Sequence, residues 1–326
     1  MKLSAFTVAD QASEENRERF SEIVAMARAA DASGLSGVWI AEHHFHGGGG
    51  CPSPPVLLAA IAQATQRLRV GALVSVLPFH DPVEVAEQYA MVDRLSGGRL
   101  NMGVGSGYIS TELEGFHVDP AAKQARFDQA FDVLREAWSG HPVRAAGGQG
   151  APVVLNVRPQ QQPHPPIWIA VQRREAIPHV ARKGVSIALV PYATLSGLDE
   201  LAAEIKEFRA AVPAGRSAEV TVALHLYAGD SPMRARGALQ QYLDSRLATQ
   251  SRFYQAKVHA DPRHALAATV ESSGFALLGS PAEVRARLRE FARIGVDEVA
   301  GIFDFGGLPA EVVEGSIRDL GAAGPF

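Results

Sequence analysis

The chain of 326 residues has a single cysteine, Cys51, and so cannot form an internal disulfide or a cysteine-based zinc or iron–sulfur site. An unpaired cysteine is typical of proteins in a reducing compartment. The first residues lack an apolar stretch of signal-peptide length, and no later run approaches the roughly 20 apolar residues of a membrane span. These absences predict a cytoplasmic protein that does not enter a membrane.

The sequence also lacks an excess of positive charge. Its 31 Lys and Arg residues against 35 Asp and Glu residues give a net charge of −4, and the basic residues are scattered. Nucleic-acid surfaces and polybasic membrane anchors need massed positive charge, so a small-molecule partner is favoured over either. The hydrophobic content of 47% allows a sizeable core, in one large domain or two smaller ones.

Short apolar runs alternate with helical patterns along the chain. The runs have no clean apolar–polar alternation, which is typical of parallel strands covered on both faces. Eight units of one strand followed by one helix are most compatible with a (β/α)₈ TIM barrel, and a doubly wound sheet is the competing architecture. We predict strands at 3–8, 38–41, 68–76, 100–104, 166–170, 185–190, 220–227 and 298–303.

Several helix boundaries are marked by their sequence. The segments 81–84 (DPVE) and 280–283 (SPAE) each supply a capping side chain, a first-position proline and a third-position glutamate. Ser13 and Gly34 are predicted to cap and stop the first helix. The apolar face of that helix is predicted from Phe20, Ile23, Val24, Ala27 and Ala30.

Two stretches do not fit the simple repeat and are predicted to be insertions after strands four and seven. Residues 139–165 are rich in Gly, Pro and Gln, and indicate a loop with one short strand. Residues 229–279 are longer and have a helical middle at 236–247. Long insertions after barrel strands usually build or cover the active-site mouth, so the second is a candidate lid.

The residues just after each predicted strand are candidates for chemistry, because active sites of barrels lie at the carboxyl ends of their strands. Strand two leads into WIAEHHFHGGGG at 39–50, where Glu42 precedes three histidines. The segments 103–108, 172–174 and 304–307 follow strands four, five and eight. We expect these four segments to share one rim.

The run from Glu42 to His46 has more than one interpretation. If strand alternation persists, Glu42, His44 and His46 lie on one side and form a conceivable metal-ligand set. A hydrolase barrel needs further ligands after other strands, whereas the remaining histidines mostly fall in predicted helices or long loops. Alternatively, these side chains only satisfy the backbone at the strand end. The residues alone leave both interpretations open.

The glycines at 103, 105 and 107 resemble a phosphate loop, since glycine allows an anion to approach backbone N–H groups closely. The pattern is weak evidence by itself because such glycines also occur in simple turns. It lacks the longer spacing of a dinucleotide fingerprint. We see no nicotinamide-binding motif of that kind in the chain.

Four segments together resemble the bacterial luciferase-like, flavin-dependent monooxygenases in order and spacing. They are VWIAEHHF, RVGALVSVLPFHDPVEVAEQYAMVDRLSGGRLNMGVGSGY, PPIWIAVQ and GSPAEVRARLREFARIGVDEV. The ending VDEVAGIFDFG is most similar to the branch found with natural-product biosynthesis. The resemblance implies one TIM-barrel domain over residues 1–326, which oxygenates a small molecule with O₂ and reduced flavin mononucleotide (FMN). It also implies a separate flavin reductase as partner and a homodimer formed through the helices after strands two and three.

The resemblance also assigns roles to particular residues. It implies that His43 is the catalytic acid or base, which suits a side chain that titrates near neutrality. Glu42 would orient the histidine ring or the flavin. A non-proline cis peptide, expected at Leu73–Val74, would support the flavin ring.

The family's phosphate contacts fall on two segments that depart from the luciferase pattern. They correspond here to Gly105, Ser106 and Gly107, and to Gln172 and Arg173. Luciferase α chains have an arginine where Ser106 stands, and a glutamate–serine pair where Gln172 and Arg173 stand. The guanidinium of Arg173 could restore the lost charge, since it binds phosphate in a bidentate way.

Apolar residues on the rim are predicted to exclude water and shape the substrate cavity. They are Phe6, Val8, Phe79, Tyr108 and Val190. No metal is expected at this site. The alternatives are a deazaflavin-dependent hydride-transfer enzyme on the same fold, a non-catalytic flavin-binding protein and, as an outlier, a metal-dependent hydrolase.

Overall fold

The computed structural model describes residues 1–10, 18–46, 49–144, 150–248 and 252–321. Within these ranges the chain forms nine parallel strands. They are β1 (Lys2–Thr7), β2 (Gly37–Ile40), β3 (Arg69–Val76), β4 (Leu100–Gly105), β5 (Ile167–Val171), β6 (Ser186–Leu189), β7 (Val220–Ala228), β8 (Ala276–Gly279) and β9 (Glu298–Ile302).

Eight of these strands close into a barrel, which confirms the predicted (β/α)₈ architecture. Strands β1 to β7 pair in chain order, and β9 lies between β7 and β1. Strand β8 was missed because it lies inside the insertion 229–279. It pairs with the last residues of β7, from His225 to Ala228, outside the ring.

Helices follow the strands and cover the outside of the barrel. At α3 (Pro82–Leu95) the Asp81 carboxylate accepts a hydrogen bond from Val83 N at 2.8 Å, and at α11 (Pro281–Arg293) Ser280 and Glu283 form a capping box, as predicted. None of the helices in the described part of the chain has the length and apolar character of a membrane span. The helices are α1 (Arg19–Ala32), α2 (Pro54–Ala64), α3 (Pro82–Leu95), α4 (Ser110–Gly115), α5 (Lys123–Trp138), α6 (Ile177–Arg182), α7 (Leu198–Ala211), α8 (Pro232–Ala248), α9 (Arg252–Ala260), α10 (Ala267–Ser272), α11 (Pro281–Arg293) and α12 (Ala310–Gly321).

The start of α1 differs from its prediction. The predicted cap, Ser13, lies outside the described residues, and Phe20 is exposed rather than part of the buried face. Arg19 is buried in the first turn instead, because its guanidinium pairs with Asp304 at 2.6 Å and Asp10 at 3.4 Å.

The two insertions lie at opposite ends of the barrel. The first, residues 139–165, carries an antiparallel bridge between Val143 and Val153, and Gln161 Nε2 donates to Asp93 Oδ1 at 2.7 Å, near the start of β4. The second supplies α8, whose residues Tyr242 and Arg246 reach the carboxyl ends of the strands. Among the described residues of the two insertions, those that line the candidate site therefore come from the second.

Candidate active site

A cavity of about 520 Å³ opens at the carboxyl ends of the barrel strands. All of the predicted site residues except Phe79 line it: Phe6, Val8, Glu42, His43, Leu73, Val74, Gly105, Ser106, Gly107, Tyr108, Gln172, Arg173 and Val190. The peptide bond between Leu73 and Val74 is cis, at the predicted position. The rim inferred from strand order thus brings together residues from six different strand ends.

Phe79 does not line the cavity, which corrects its prediction as a cavity residue. The chain makes a short 3₁₀ turn at Leu77–Phe79 directly after β3. The Phe79 ring stacks on Phe116 with centroids 4.7 Å apart and meets the His44 ring edge-on at 5.9 Å. Phe79 therefore packs in an aromatic cluster beside the site.

His43 is held by a carboxylate that the sequence analysis did not identify, Glu112 on α4. The distance from His43 Nδ1 to Glu112 Oε1 is 3.0 Å. The same oxygen accepts from the backbone N–H of His44 at 2.9 Å and contacts His46 Nε2 at 3.1 Å. With Nδ1 held by Glu112, Nε2 is the ring nitrogen left to exchange a proton with a molecule in the cavity.

The charges of this pair follow from burial and hydrogen bonding. Burial alone would raise the pKa of Glu112, but hydrogen bonds from His43 and His46 lower that pKa to about 2. Burial lowers the pKa of His43, and the hydrogen bond to Glu112 only partly opposes it. At neutral pH the site therefore holds an anionic Glu112 and a neutral His43, which is the proton-accepting form.

Glu42 does not orient the His43 ring, which corrects that part of its prediction, whereas a role in orienting the flavin stays a prediction. Its Oε1 lies 3.0 Å from His44 Nε2 and 2.7 Å from His80 Nε2. Its Oε2 accepts from Ser75 Oγ at 3.2 Å and Val76 N at 3.0 Å. Glu42 thus fixes β2 to the end of β3, directly beside the cis peptide.

The predicted grouping of Glu42, His44 and His46 on one side is wrong, since the extended conformation stops at Phe45, whose φ is 63°. Two clusters result, Glu42 with His44 and His80, and Glu112 with His43 and His46, and in each the potential ligand atoms lie within 4.8 Å of one another. A single carboxylate oxygen contacts both rings in each cluster. In the structure both clusters form hydrogen-bond networks around a carboxylate, and the expectation that neither binds a metal stays a prediction.

Gly49 packs against the catalytic candidate. A run of glycines such as the one after His46 is typical of a flexible turn, but a Cβ atom at Gly49 would lie 2.6 Å from His43 Cβ and Cδ2. The backbone N–H of His43 donates to Cys51 O at 3.1 Å. Gly49 and Cys51 therefore pack against the histidine and help to position it.

Replacing Gly49 with alanine is expected to displace the His43 ring and lower the turnover rate by about 10- to 100-fold, since misplacing a catalytic group by about 1 Å has effects of this size. The matched control is Gly197→Ala, where an added Cβ meets no atom within 4 Å. Both rates are measured with the same substrate and FMN concentration. Equal rates in the two variants would contradict the positioning role.

One end of the cavity is basic. Lys123, Arg173 and Lys183 line it from three different elements. Lys123 Nζ donates to Gly107 O, and Lys183 Nζ lies 2.9 Å from Asp128 Oδ1. Arg173 was predicted because it follows strand five, whereas neither lysine was, since both lie beside predicted helices and far from the carboxyl ends of the preceding strands in sequence.

The wall between this basic end and His43 is open for a ligand. A Cβ on Gly105 would lie 2.7 Å from Val74 Cγ2, so only glycine lets β4 approach the cis peptide this closely. Gln172 Oε1 is a buried acceptor without a partner in the described part of the chain. A ligand hydroxyl or N–H would satisfy it, and a phosphate would suit the basic end, so these residues fit FMN.

The barrel cavity thus combines a carboxylate-held histidine, a cis peptide and a group of basic side chains at one rim. Residues 1–298 match the family model described as luciferase-like monooxygenase. The chain therefore belongs to that family, as the sequence resemblance implies.

Individual relatives agree with this assignment. The chain is 36% identical over 198 residues to the uncharacterized protein y4wF of Sinorhizobium fredii, covering 59% of this chain and 57% of that protein. It is 26% identical over 196 residues to the oxygenase component of the flavin-dependent trigonelline monooxygenase of Acinetobacter baylyi, covering 59% and 54%. The chain thus spans little more than half the length of these two curated relatives.

Among solved structures, the fold matches the monooxygenase RslO1 of Streptomyces bottropensis. The TM-score is 0.85 with 25% sequence identity, over 98% of both chains. The similarity therefore extends through both insertions as well as the barrel.

Proposed function

We propose that this protein is a flavin-dependent monooxygenase that uses reduced FMN and O₂ to oxygenate a small organic substrate. The observation that carries the proposal is the contact of His43 with Glu112 in the same cavity as the Leu73–Val74 cis peptide. The name of the trigonelline relative, an oxygenase component, supports a separate flavin reductase as the source of reduced FMN. A substrate from natural-product biosynthesis remains a prediction from the C-terminal sequence.

Bound reduced FMN would supply the electrons that activate O₂. Lys123, Arg173 and Lys183 would hold the phosphate of FMN. Gln172 Oε1 would accept a hydrogen bond from a hydroxyl or N–H group of FMN. The residues around Leu73 and Val74 would support its ring. This set replaces the phosphate-binding arginine of the luciferase α chain by cations from other elements.

His43 would move the proton that oxygen transfer requires. Its Nε2 can accept a proton from a group in the cavity, while Glu112 stabilises the resulting imidazolium through Nδ1. Apolar side chains of Phe6, Val8 and Val190 line the same cavity and would keep water away from this step. Each of these roles belongs to a residue that the strand ends bring to one rim.

A homodimer through α2 and α3 belongs to the same proposal. Apolar side chains are exposed on these helices, with exposed fractions of 73% at Val56, 54% at Met91 and 46% at Leu95. Exposed apolar patches of this kind mark interfaces. Sedimentation velocity at several protein concentrations would show the predicted dimer or a monomer.

The deciding experiment is equilibrium binding of oxidised FMN, reduced FMN and a deazaflavin, followed by oxygen uptake with reduced FMN. We expect reduced FMN to bind tightest, and isotopically labelled O₂ to enter a product when candidate acids, ketones and aldehydes are supplied. Tight binding of the deazaflavin alone, with no oxygen incorporation, would replace the proposal by the hydride-transfer alternative. FMN binding without oxygen consumption would favour a non-catalytic flavin-binding protein. Stoichiometric zinc in the purified protein would favour a metal-dependent hydrolase.

A further inference from the structure

We propose that the substrate is a small organic anion, whose ionised oxygen binds Arg246 while its apolar body fills the cavity beside His43. This inference rests on the proposed monooxygenase function for the identity of the reaction. Beyond that function, it specifies that the substrate carries a negative charge. It is carried by a buried arginine in the cavity wall, which no motif of the sequence indicates.

Arg246 reaches the cavity from α8, in the insertion that follows β7. It lines the cavity although only 5% of the residue is exposed. Its Nη2 donates to the hydroxyl of Tyr108 at 3.2 Å, and its guanidinium carbon lies 5.7 Å from the centroid of the Tyr242 ring. Tyr242 in turn contacts Tyr192 through their hydroxyls at 3.2 Å. The guanidinium is therefore held in place by phenols.

The phenols around Arg246 are neutral and the guanidinium is charged. Burial raises the pKa of Tyr108 to about 12, and burial also raises the pKa of Tyr242 well above its ordinary value. Arginine remains protonated throughout the working range of pH. This wall of the cavity consequently presents positive charge from a buried group, which favours an anion in contact with it.

Three of the four carboxylates that line the same cavity have described partners of their own, and the fourth is Glu175. Glu112 is held by His43 and His46, and Asp128 lies 2.9 Å from Lys183. Glu42 contacts His44 and His80. The described contacts of these three carboxylates are thus with histidine and lysine side chains.

The position of Arg246 assigns this anion to the substrate rather than to the flavin phosphate. Tyr108, which holds Arg246, has its ring centroid 6.4 Å from that of His43. The charge of Arg246 is also one of the causes that lower the pKa of His43. An oxygen anion bound to Arg246 would therefore lie next to the proton-transfer group, whereas the basic end consists of Lys123, Arg173 and Lys183 on other elements.

The rest of the cavity wall limits the body of the substrate. Apolar side chains of Phe6, Val8, Val190 and Ile302 line it. A guanidinium pairs with a carboxylate through two parallel hydrogen bonds, and it also binds a phenolate or enolate oxygen. The geometry thus favours an aromatic or alicyclic acid over a neutral hydrocarbon or a sugar phosphate.

The test compares acids with neutral analogues of the same shape by calorimetric titration of the purified protein, without FMN or O₂. Benzoate is paired with benzamide, and naphthoate with naphthamide. We expect each acid to bind at least about tenfold more tightly than its amide, which corresponds to one charge-assisted interaction. Arg246→Gln should abolish the difference, and Arg246→Lys should keep part of it. The control Arg234→Gln, at an exposed arginine of the same helix, should leave it unchanged.

Equal affinity of acid and amide for the wild-type protein would overturn the inference, as would failure of both acids to bind. A preference that survives in Arg246→Gln would overturn it too, and so would displacement of the acid by FMN, which would assign the anion to the basic end. If Arg246→Gln does not fold, the comparison of acid and amide binding by the wild-type protein and by Arg246→Lys still tests the inference. Failure of FMN to bind overturns the proposed function alone, because the acid–amide difference is measured without flavin.

Discussion

Replacing His43 with glutamine is expected to lower oxygen transfer to substrate by about 10²- to 10⁴-fold, the range of general acid–base catalysis. Glutamine keeps most of the volume and can hydrogen-bond to Glu112, but it cannot exchange a proton. FMN affinity should change little, because the residues that fit the phosphate lie at the other end of the cavity. The measurements are single-turnover product formation with reduced FMN and equilibrium FMN binding.

The matched control for His43 is His46. Both rings contact the same oxygen, Glu112 Oε1, at 3.0 and 3.1 Å, but His46 does not line the cavity. His46→Gln should therefore retain most of the activity. If both variants lose activity equally, the effect comes from the Glu112 network and His43 has no catalytic role of its own.

The pH dependence separates catalysis by His43 from its positioning by Glu112. Burial holds the pKa of His43 below its ordinary 6.5, so the wild-type enzyme should lose activity only on the acid side of that value. Glu112→Gln removes the negative charge that favours the protonated ring. The acid limb should then move to lower pH and kcat should fall, with KM for substrate nearly constant. If the acid limb of the pH–rate profile is unchanged in Glu112→Gln, Glu112 has only a structural role.

The barrel and its rim could be predicted from the sequence because their signals are local. A short apolar run indicates a buried strand, and the residue after it lies at a strand end whatever the rest of the chain does. The Leu73–Val74 cis peptide was located by the resemblance of RVGALVSVLPFH to a known family. Phe6, Val8 and Tyr108 were predicted to line the cavity because they lie at the carboxyl ends of predicted strands.

The partners of the site could not be predicted, because they depend on contacts between distant residues. Glu112 lies 69 positions from His43, and Arg246 lies 138 positions from Tyr108. Nothing in the helical pattern of α8 distinguishes the buried Arg246 from the exposed Arg234. The histidines are also grouped differently from the prediction, because the positive φ of Phe45 ends the strand-like alternation. No periodicity of the sequence indicates this backbone conformation.

Glu42 should be the residue of this rim on which stability depends most. Replacing it with alanine removes the acceptor for four contacts, from His44, His80, Ser75 and Val76. Breaking a buried charged network by removing one partner costs about 3–5 kcal/mol. We expect a loss of this size in the free energy of unfolding, measured by urea titration near pH 5.5. The control Glu136→Gln, on the exposed face of α5, should change it by less than about 0.5 kcal/mol.

The pH dependence of that loss follows from the two titrating partners. Burial would raise the pKa of Glu42, but hydrogen bonds from His44 and His80 lower it from 4.5 to about 2, so its contribution is complete above about pH 4.5 and disappears as the pH falls towards 2. Burial opposes ionisation of His80, yet the hydrogen bond to Glu42 raises its pKa above 6.5. The contribution of His80 is therefore complete below 6.5 and is lost as the pH rises through the raised pKa.

The wild type and Glu42→Ala should consequently differ most between pH 4.5 and 6.5, and their stabilities should converge as the pH falls towards 2. Glu42→Gln can still accept the hydrogen bond from Val76 N, so it should lose less stability than the alanine variant. It should also lack the pH-dependent part, because an amide cannot form the ion pair with His80. A difference between wild type and Glu42→Ala that stays constant from pH 2 to pH 7 would mean that Glu42 acts by packing alone, and that its charge has no part in holding β2 to the cis peptide.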